Sequence, residues 1–203
     1  GIDADVISAF EGYRRDPTRE QSDVLAGRLA LDAEKLWDIA ADTWAPGPVE
    51  TALEGGLKVD QLWYGPDRVW AYVVGDDSQC VLIDAGVPAA EIGEAMGARE
   101  LVAVLLTHTH GDHVSALEEV TRGVDIPVYA PAQELDVVTG MAVDVRPFSD
   151  GDAIEVGPFE FKALHTPGHT AGETCLAIAD AVFTGDALFA GSIGGGNLGA
   201  DGV

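Results

Sequence analysis

Six consecutive apolar residues, Leu101-Val102-Ala103-Val104-Leu105-Leu106, run almost directly into His108-Thr109-His110-Gly111-Asp112-His113. A run this short and this apolar reads as a strand buried on both faces. A buried strand that ends in imidazole and carboxylate groups is where an α/β fold places a metal, outside the carboxyl ends of its strands. Three of the chain's five histidines fall within these six positions. Two histidines at i and i+2 on an extended loop can turn their rings to one ion, and Asp112 and His113 can turn to a neighbouring one. Neutral imidazole suits zinc, iron and other borderline metals, and a carboxylate adds charge and a hard oxygen. A surface loop carrying these groups by coincidence is the competing reading and the weaker one.

The other two histidines stand in His165-Thr166-Pro167-Gly168-His169-Thr170. Its Pro-Gly pair makes a sharp turn that can aim His169 inward. His165, four residues earlier, is expected to be a structural histidine. Asp186 closes Thr184-Gly185-Asp186, and Asp84 follows Val81-Leu82-Ile83. Taken alone, either aspartate reads as a turn residue or a helix cap.

Around these motifs the chain divides into a helical extension, residues 1–48, and a strand-rich domain, residues 49–203. In the extension, Val6, Ile7 and Phe10 recur at helical spacing. Thr18-Arg19-Glu20-Gln21 has the capping-box spacing and opens a helix carrying Val24, Leu25 and Leu29. Asp32 caps a third segment with Leu36, Trp37, Ile39 and Ala40, and Trp44 and Pro46-Gly47-Pro48 follow it. Such short helices need something to cover, either the main domain or a second copy in a homo-oligomer. From residue 57 the pattern predicts strands at 57–64 and 69–74 around a Gly65-Pro66-Asp67 turn, then at 80–83, 101–106 and 127–130. Helices are expected at 88–97, 113–121 and 132–139. A second hairpin, carrying Ile154, Val156, Phe159 and Phe161, turns at Gly157-Pro158, and strands follow at 174–179 and 181–183. The glycine-rich tail from Ala190 reads as a loop near a site or a loose end.

The balance of 35 acidic against 11 basic residues gives a net charge of −24. That field repels nucleic acid and anionic membranes, so neither is an expected partner. A carboxylate-rich surface with only three lysines fits a halophilic source, where salt screens the repulsion. No apolar run is long enough to span a membrane, and no secretory signal is visible. Cys80 and Cys175 lie singly in apolar runs and read as buried free thiols of a reducing, cytoplasmic compartment.

The segment 108–113 resembles the HxHxDH signature of the metallo-β-lactamase-fold superfamily. Asp84, the HxHxDH loop, Thr166-Pro167-Gly168-His169-Thr170 and Thr184-Gly185-Asp186 occur in that family's order, across about residues 57–195. The resemblance implies an α+β, four-layer αββα sandwich with its site at the edge of two sheets. It implies that His108, His110 and His169 hold one metal, and that Asp112, His113 and a bridging Asp186 belong to a second. Asp84 would support them without being a ligand. The implied cofactor is zinc, one or two ions, with iron as the alternative.

Residues 184–194 are similar to the glyoxalase II and persulfide dioxygenase branch. Where that branch carries groups that hold glutathione, this chain has Gly195-Gly196-Asn197. The family's last ligand is a histidine well past the bridging aspartate, and no histidine follows His169. Either the C-terminus is truncated before the final strand and helix, which is the expectation, or the second metal site is incomplete. The implied activity is hydrolysis of a small-molecule thioester, ester or lactam by metal-activated water, with Asp112 as the catalytic carboxylate. The alternative is a one-iron persulfide dioxygenase using His108, His169 and Asp186. No GxSxG nucleophile motif is present.

Overall fold

Thr18 and Asp32 each start a helix by accepting backbone N–H groups that would otherwise lack partners. In the computed structural model, which describes residues 2–12, 14–43, 51–65, 69–142 and 144–195, the first of two compact units is Gly1–Pro48. It holds α1 (Ala4–Glu11), α2 (Arg19–Leu29) and α3 (Ala33–Ala40). Thr18 and Gln21 form a complete capping box, with Gln21 Oε1 accepting from Thr18 N at 2.9 Å. Asp32 Oδ1 accepts from Glu34 N and Lys35 N, both at 3.0 Å. Of the apolar positions expected on α2, Val24 and Leu29 are exposed and Leu25 is half-buried, while Ser22 and Ala26 are its buried positions. The expected Trp44 and Pro46-Gly47-Pro48 ending lies outside the described residues, as do Pro66 and Asp67 of the first hairpin turn and the tail from Gly196.

The second unit, Val49–Val203, opens with the expected hairpin, β1 (Lys58–Tyr64) and β2 (Val69–Gly75), and continues with β3 (Gln79–Ile83), α4 (Ala89–Met96) and β4 (Glu100–Leu105). Then come α5 (Gly111–Val114), α6 (Leu117–Thr121), β5 (Pro127–Pro131), a 3-10 turn (Ala132–Glu134), α7 (Leu135–Val138) and β6 (Asp144–Phe148). These six strands form one sheet in chain order, β1 to β6. The first three pair antiparallel, and β3, β4, β5 and β6 run parallel. A second, antiparallel sheet has the order β10-β9-β8-β7, from β7 (Ala153–Val156), β8 (Phe159–His165), β9 (Thr174–Ile178) and β10 (Ala181–Phe183). A small hairpin, β11 (Leu188–Phe189) and β12 (Ser192–Ile193), follows.

Alternation along the strands sorts the apolar residues into two cores. Val74, Ile83, Leu105, Phe148, Phe161, Leu176 and Phe183 meet between the two sheets. Val73, Leu82, Val104 and Leu106 point the other way, onto Ile92 of α4, Val114 of α5, Leu117 of α6 and Val138 of α7. Three layers of the αββα order thus lie within this unit. Glu155, Glu160 and Lys162, on the outer face of the four-stranded sheet, are exposed.

One local expectation is corrected, and one strand was not expected. The helix expected over 113–121 is broken at Ser115-Ala116, because the backbone there pairs with the Asp84 loop. Ala85 N donates to His113 O at 2.8 Å, and Ala116 N donates to Ala85 O at 2.9 Å. Strand β6 had no expectation, because Asp144, Arg146 and Pro147 interrupt its apolar pattern; an edge strand tolerates all three. Cys80 and Cys175 are free and buried, as expected. Among the described residues no helix is long and apolar enough to cross a membrane.

Candidate metal centre

Parallel pairing of β3 with β4 brings their carboxyl ends side by side, so Asp84 and Thr107 meet. Asp84 Oδ1 accepts from Thr107 N and Oδ2 from Thr107 Oγ1, each at 2.9 Å. Oδ2 also lies 3.0 Å from His113 Nδ1. This one buried carboxylate therefore anchors the start of the histidine loop and fixes the ring of its last histidine. Asp84 does so from a left-handed backbone conformation, φ +57°, which aspartate tolerates better than most residues.

His108 is fully buried. Its Nδ1 lies 3.1 Å from Thr107 Oγ1 and 3.3 Å from Glu173 Oε2, while its Nε2 is buried with no hydrogen-bond partner. Across the cleft, His169 Nε2 lies 2.8 Å from His110 Nδ1, and His169 Nδ1 is held 2.9 Å from the Gly195 carbonyl. Two sets of donor atoms converge within 4.8 Å: His108, His110 and His169 in one, and His108, His113 and Asp186 in the other. Asp186 faces both, with Oδ1 3.3 Å from His113 Nε2 and Oδ2 3.4 Å from His169 Nε2.

Charge in this cleft is strongly redistributed. Burial, with the neighbouring His113 cation, pushes His108 down to about 4. Burial would lower His113 too, but Asp84 and Asp186 outweigh it and push it up to about 10. Burial opposes ionisation of Asp186, yet the hydrogen bond and charge of His113 hold its carboxyl below the usual range. Glu173, fully buried beneath the site, is pushed up to about 8 by burial and by the charge of Asp84.

The donor set fits a bound cation. An imidazole nitrogen buried without a partner is costly unless something accepts its lone pair. His108 Nε2 is such an atom, and His108 is the residue common to both sets. The outward nitrogens of His108, His113 and His169 are each held by oxygen, the arrangement that orients metal-ligating histidines.

Residues 64–202 match the family model of the metallo-beta-lactamase superfamily. The chain belongs to that superfamily. It is 36% identical over 157 residues to a Bacillus subtilis protein named probable metallo-hydrolase YqgX, covering 68% of this chain and 74% of the relative. It is 36% identical over 135 residues to the hydroxyacylglutathione hydrolase of Alkalilimnicola ehrlichii, covering 64% of this chain but only 50% of that enzyme. The crystal structure of TTHA1623 in a di-iron-bound form superposes with a TM-score of 0.60 at 31% identity, over 70% of this chain and 78% of the other.

Of the residues singled out in the sequence, this metallo-beta-lactamase-fold unit gathers His108, His110, His113, His169 and Asp186 into one cleft. Asp112 is exposed on the first turn of α5 and belongs to neither set of converging donors. His165 is apart from them, its Nε2 2.9 Å from the Ala171 carbonyl. Two residues near the site were missed. Glu173 Oε1 accepts from Asp186 N at 3.1 Å, and the only signal was a charged residue at the start of an apolar strand. Glu134 bonds two loops of the site, and nothing in the sequence separates it from the other acidic residues.

Proposed function

We propose that this chain hydrolyses a small-molecule thioester, or a related ester or lactam, in the manner of glyoxalase II. The observation that carries the reading is the convergence of His110 and His169 with His108, whose Nε2 is buried without a partner. The relatives named metallo-hydrolase and hydroxyacylglutathione hydrolase support it. His108, His110 and His169 would hold the first metal, and His108, His113 and Asp186 would be the donors for a second; Asp112, expected there from the sequence, lies outside both converging sets. The di-iron-bound relative supports iron as an alternative to zinc at these positions.

A metal held by these residues would supply an activated water, of pKa about 7 for zinc, and would polarise the carbonyl under attack. The protein's own groups do the rest. Asp84 holds His113 by Nδ1, leaving its Nε2 turned to Asp186. Asp186 spans the two donor sets, so its position depends on Glu173, which accepts its backbone N–H. Asp112, exposed on the first turn of α5, would orient the nucleophile and carry a proton to the leaving group. The β11–β12 hairpin exposes Leu188, Phe189 and Ile193, and the backbone just beyond it holds His169. That apolar edge suits an apolar acyl or thiol group better than glutathione.

The test is hydrolysis of a panel of thioesters, esters and β-lactams by the zinc-loaded full chain, beside His110→Ala. Turnover of a thioester that is lost with the metal in His110→Ala supports the reading. Turnover in a metal-free His110→Ala protein overturns it. Iron loading with oxygen uptake on a persulfide, and no carbonyl hydrolysis, would establish the dioxygenase alternative instead.

A further inference from the structure

Glu134 ends the 3-10 turn after β5, and both of its carboxylate oxygens are used. Oε2 accepts from Thr109 N at 2.8 Å and from Thr109 Oγ1 at 2.9 Å. Oε1 accepts from Gly172 N at 2.7 Å and from Thr170 Oγ1. Thr109 stands between His108 and His110, and Thr170 directly follows His169. One carboxylate therefore joins the two loops whose histidines meet in the cleft. Gly172 makes room for it, since a Cβ there would stand 2.7 Å from the Glu134 side chain. With four donors on its two oxygens, Glu134 has its acceptor capacity filled by the protein. Its role is toward the loops and not toward an ion.

We propose that Glu134 is a positioning residue that sets the spacing of the His108–His110 loop and the His169 loop, and through it the geometry and affinity of the three-histidine site. The inference rests on the metal reading above. Two loops fixed independently could each drift, and partners of this kind change metal affinity by roughly 10- to 100-fold when removed. A brace that served stability alone would leave the site's geometry unchanged once the protein had folded.

The experiment compares the wild-type full chain with Glu134→Ala, Glu134→Gln and Val156→Ala, the last a control in the inter-sheet core. Zinc affinity is read by chelator competition, and ligand geometry by the visible absorption of the cobalt(II)-substituted protein. Glu134→Ala is expected to weaken zinc binding by about 10- to 100-fold and to shift the cobalt bands. Glu134→Gln keeps the size but presents an NH2 group to one of the loops, so a loss of about 10-fold is expected. Val156→Ala should lower the unfolding midpoint and leave both metal readouts unchanged. If Glu134→Ala does not fold, Glu134→Gln carries the same comparison. Wild-type affinity and cobalt bands in the Glu134 variants overturn the proposal and leave the metal site standing. A wild-type chain that binds neither ion overturns the metal reading, and this proposal with it.

Discussion

His110 Nδ1 lies 2.8 Å from His169 Nε2, although 59 residues separate the two in the chain. Two imidazole nitrogens at that distance can share one proton between them. A cation could instead accept both lone pairs, together with that of the unpartnered His108 Nε2. The backbone carries these rings to one point because β4 ends at the first loop and β8 leads into the second.

His108 belongs to both sets of converging donors, whereas His113 belongs to one. His108→Ala should therefore weaken zinc binding at both positions, by more than about 100-fold. His113→Ala should spare the three-histidine set. Metal titration followed by calorimetry separates the two, and equal losses in the two variants would show that the sets are not independent.

Asp84 is 1% exposed and accepts from Thr107 N, Thr107 Oγ1 and His113 Nδ1. Asp84→Ala strands those donors in the interior, and a loss of about 3 kcal/mol in urea unfolding is expected. Asp84→Asn, which tolerates the left-handed backbone, should lose less. A change below about 0.5 kcal/mol in Asp84→Ala would contradict the anchoring role.

Gly185 has φ +49°, and a Cβ there would stand 2.5 Å from both Glu173 Oε1 and Thr107 Oγ1. Gly185→Ala should cost about 2 kcal/mol or more, from backbone strain and overpacking together. It should also displace Asp186, the next residue. Thermal unfolding measures the first effect and metal stoichiometry the second; a variant unchanged in both would count against this packing.

Glu134 has a carboxyl held below its usual range: burial opposes this, and the hydrogen bonds of Thr170, Thr109 and Gly172 outweigh it. Its folded pKa is therefore lower than its unfolded value of about 4.3. The stability it contributes is present above that unfolded value and is lost as pH falls through the folded pKa. Unfolding free energy measured from neutral pH downward should fall less steeply in Glu134→Gln than in the wild type. Identical acid limbs would contradict the assignment.

Much of this was legible in the sequence because the signals were local. Thr18 and Gln21 mark a helix start that the structure reproduces, and the apolar run to Leu106 marks the central parallel strand. The ordered motifs placed five ligand-type residues in one cleft. What could not be read depended on partners distant in the chain. The break at Ala116 exists because Ala85 takes its backbone bonds. Strand β6 forms because β5 offers it an edge. Glu134 and Glu173 act through contacts with far-off loops, and among 35 acidic residues neither stands out.

The converging histidines are expected to hold a functional metal. The most direct test is elemental analysis of the full chain purified without chelator, beside His110→Ala, with thioester hydrolysis followed on the same samples. One or two zinc or iron ions per chain are expected in the wild type, with loss of metal and hydrolysis together in the variant. A wild-type chain that hydrolyses the thioester while free of metal, or a variant that keeps its metal and its rate, would contradict it.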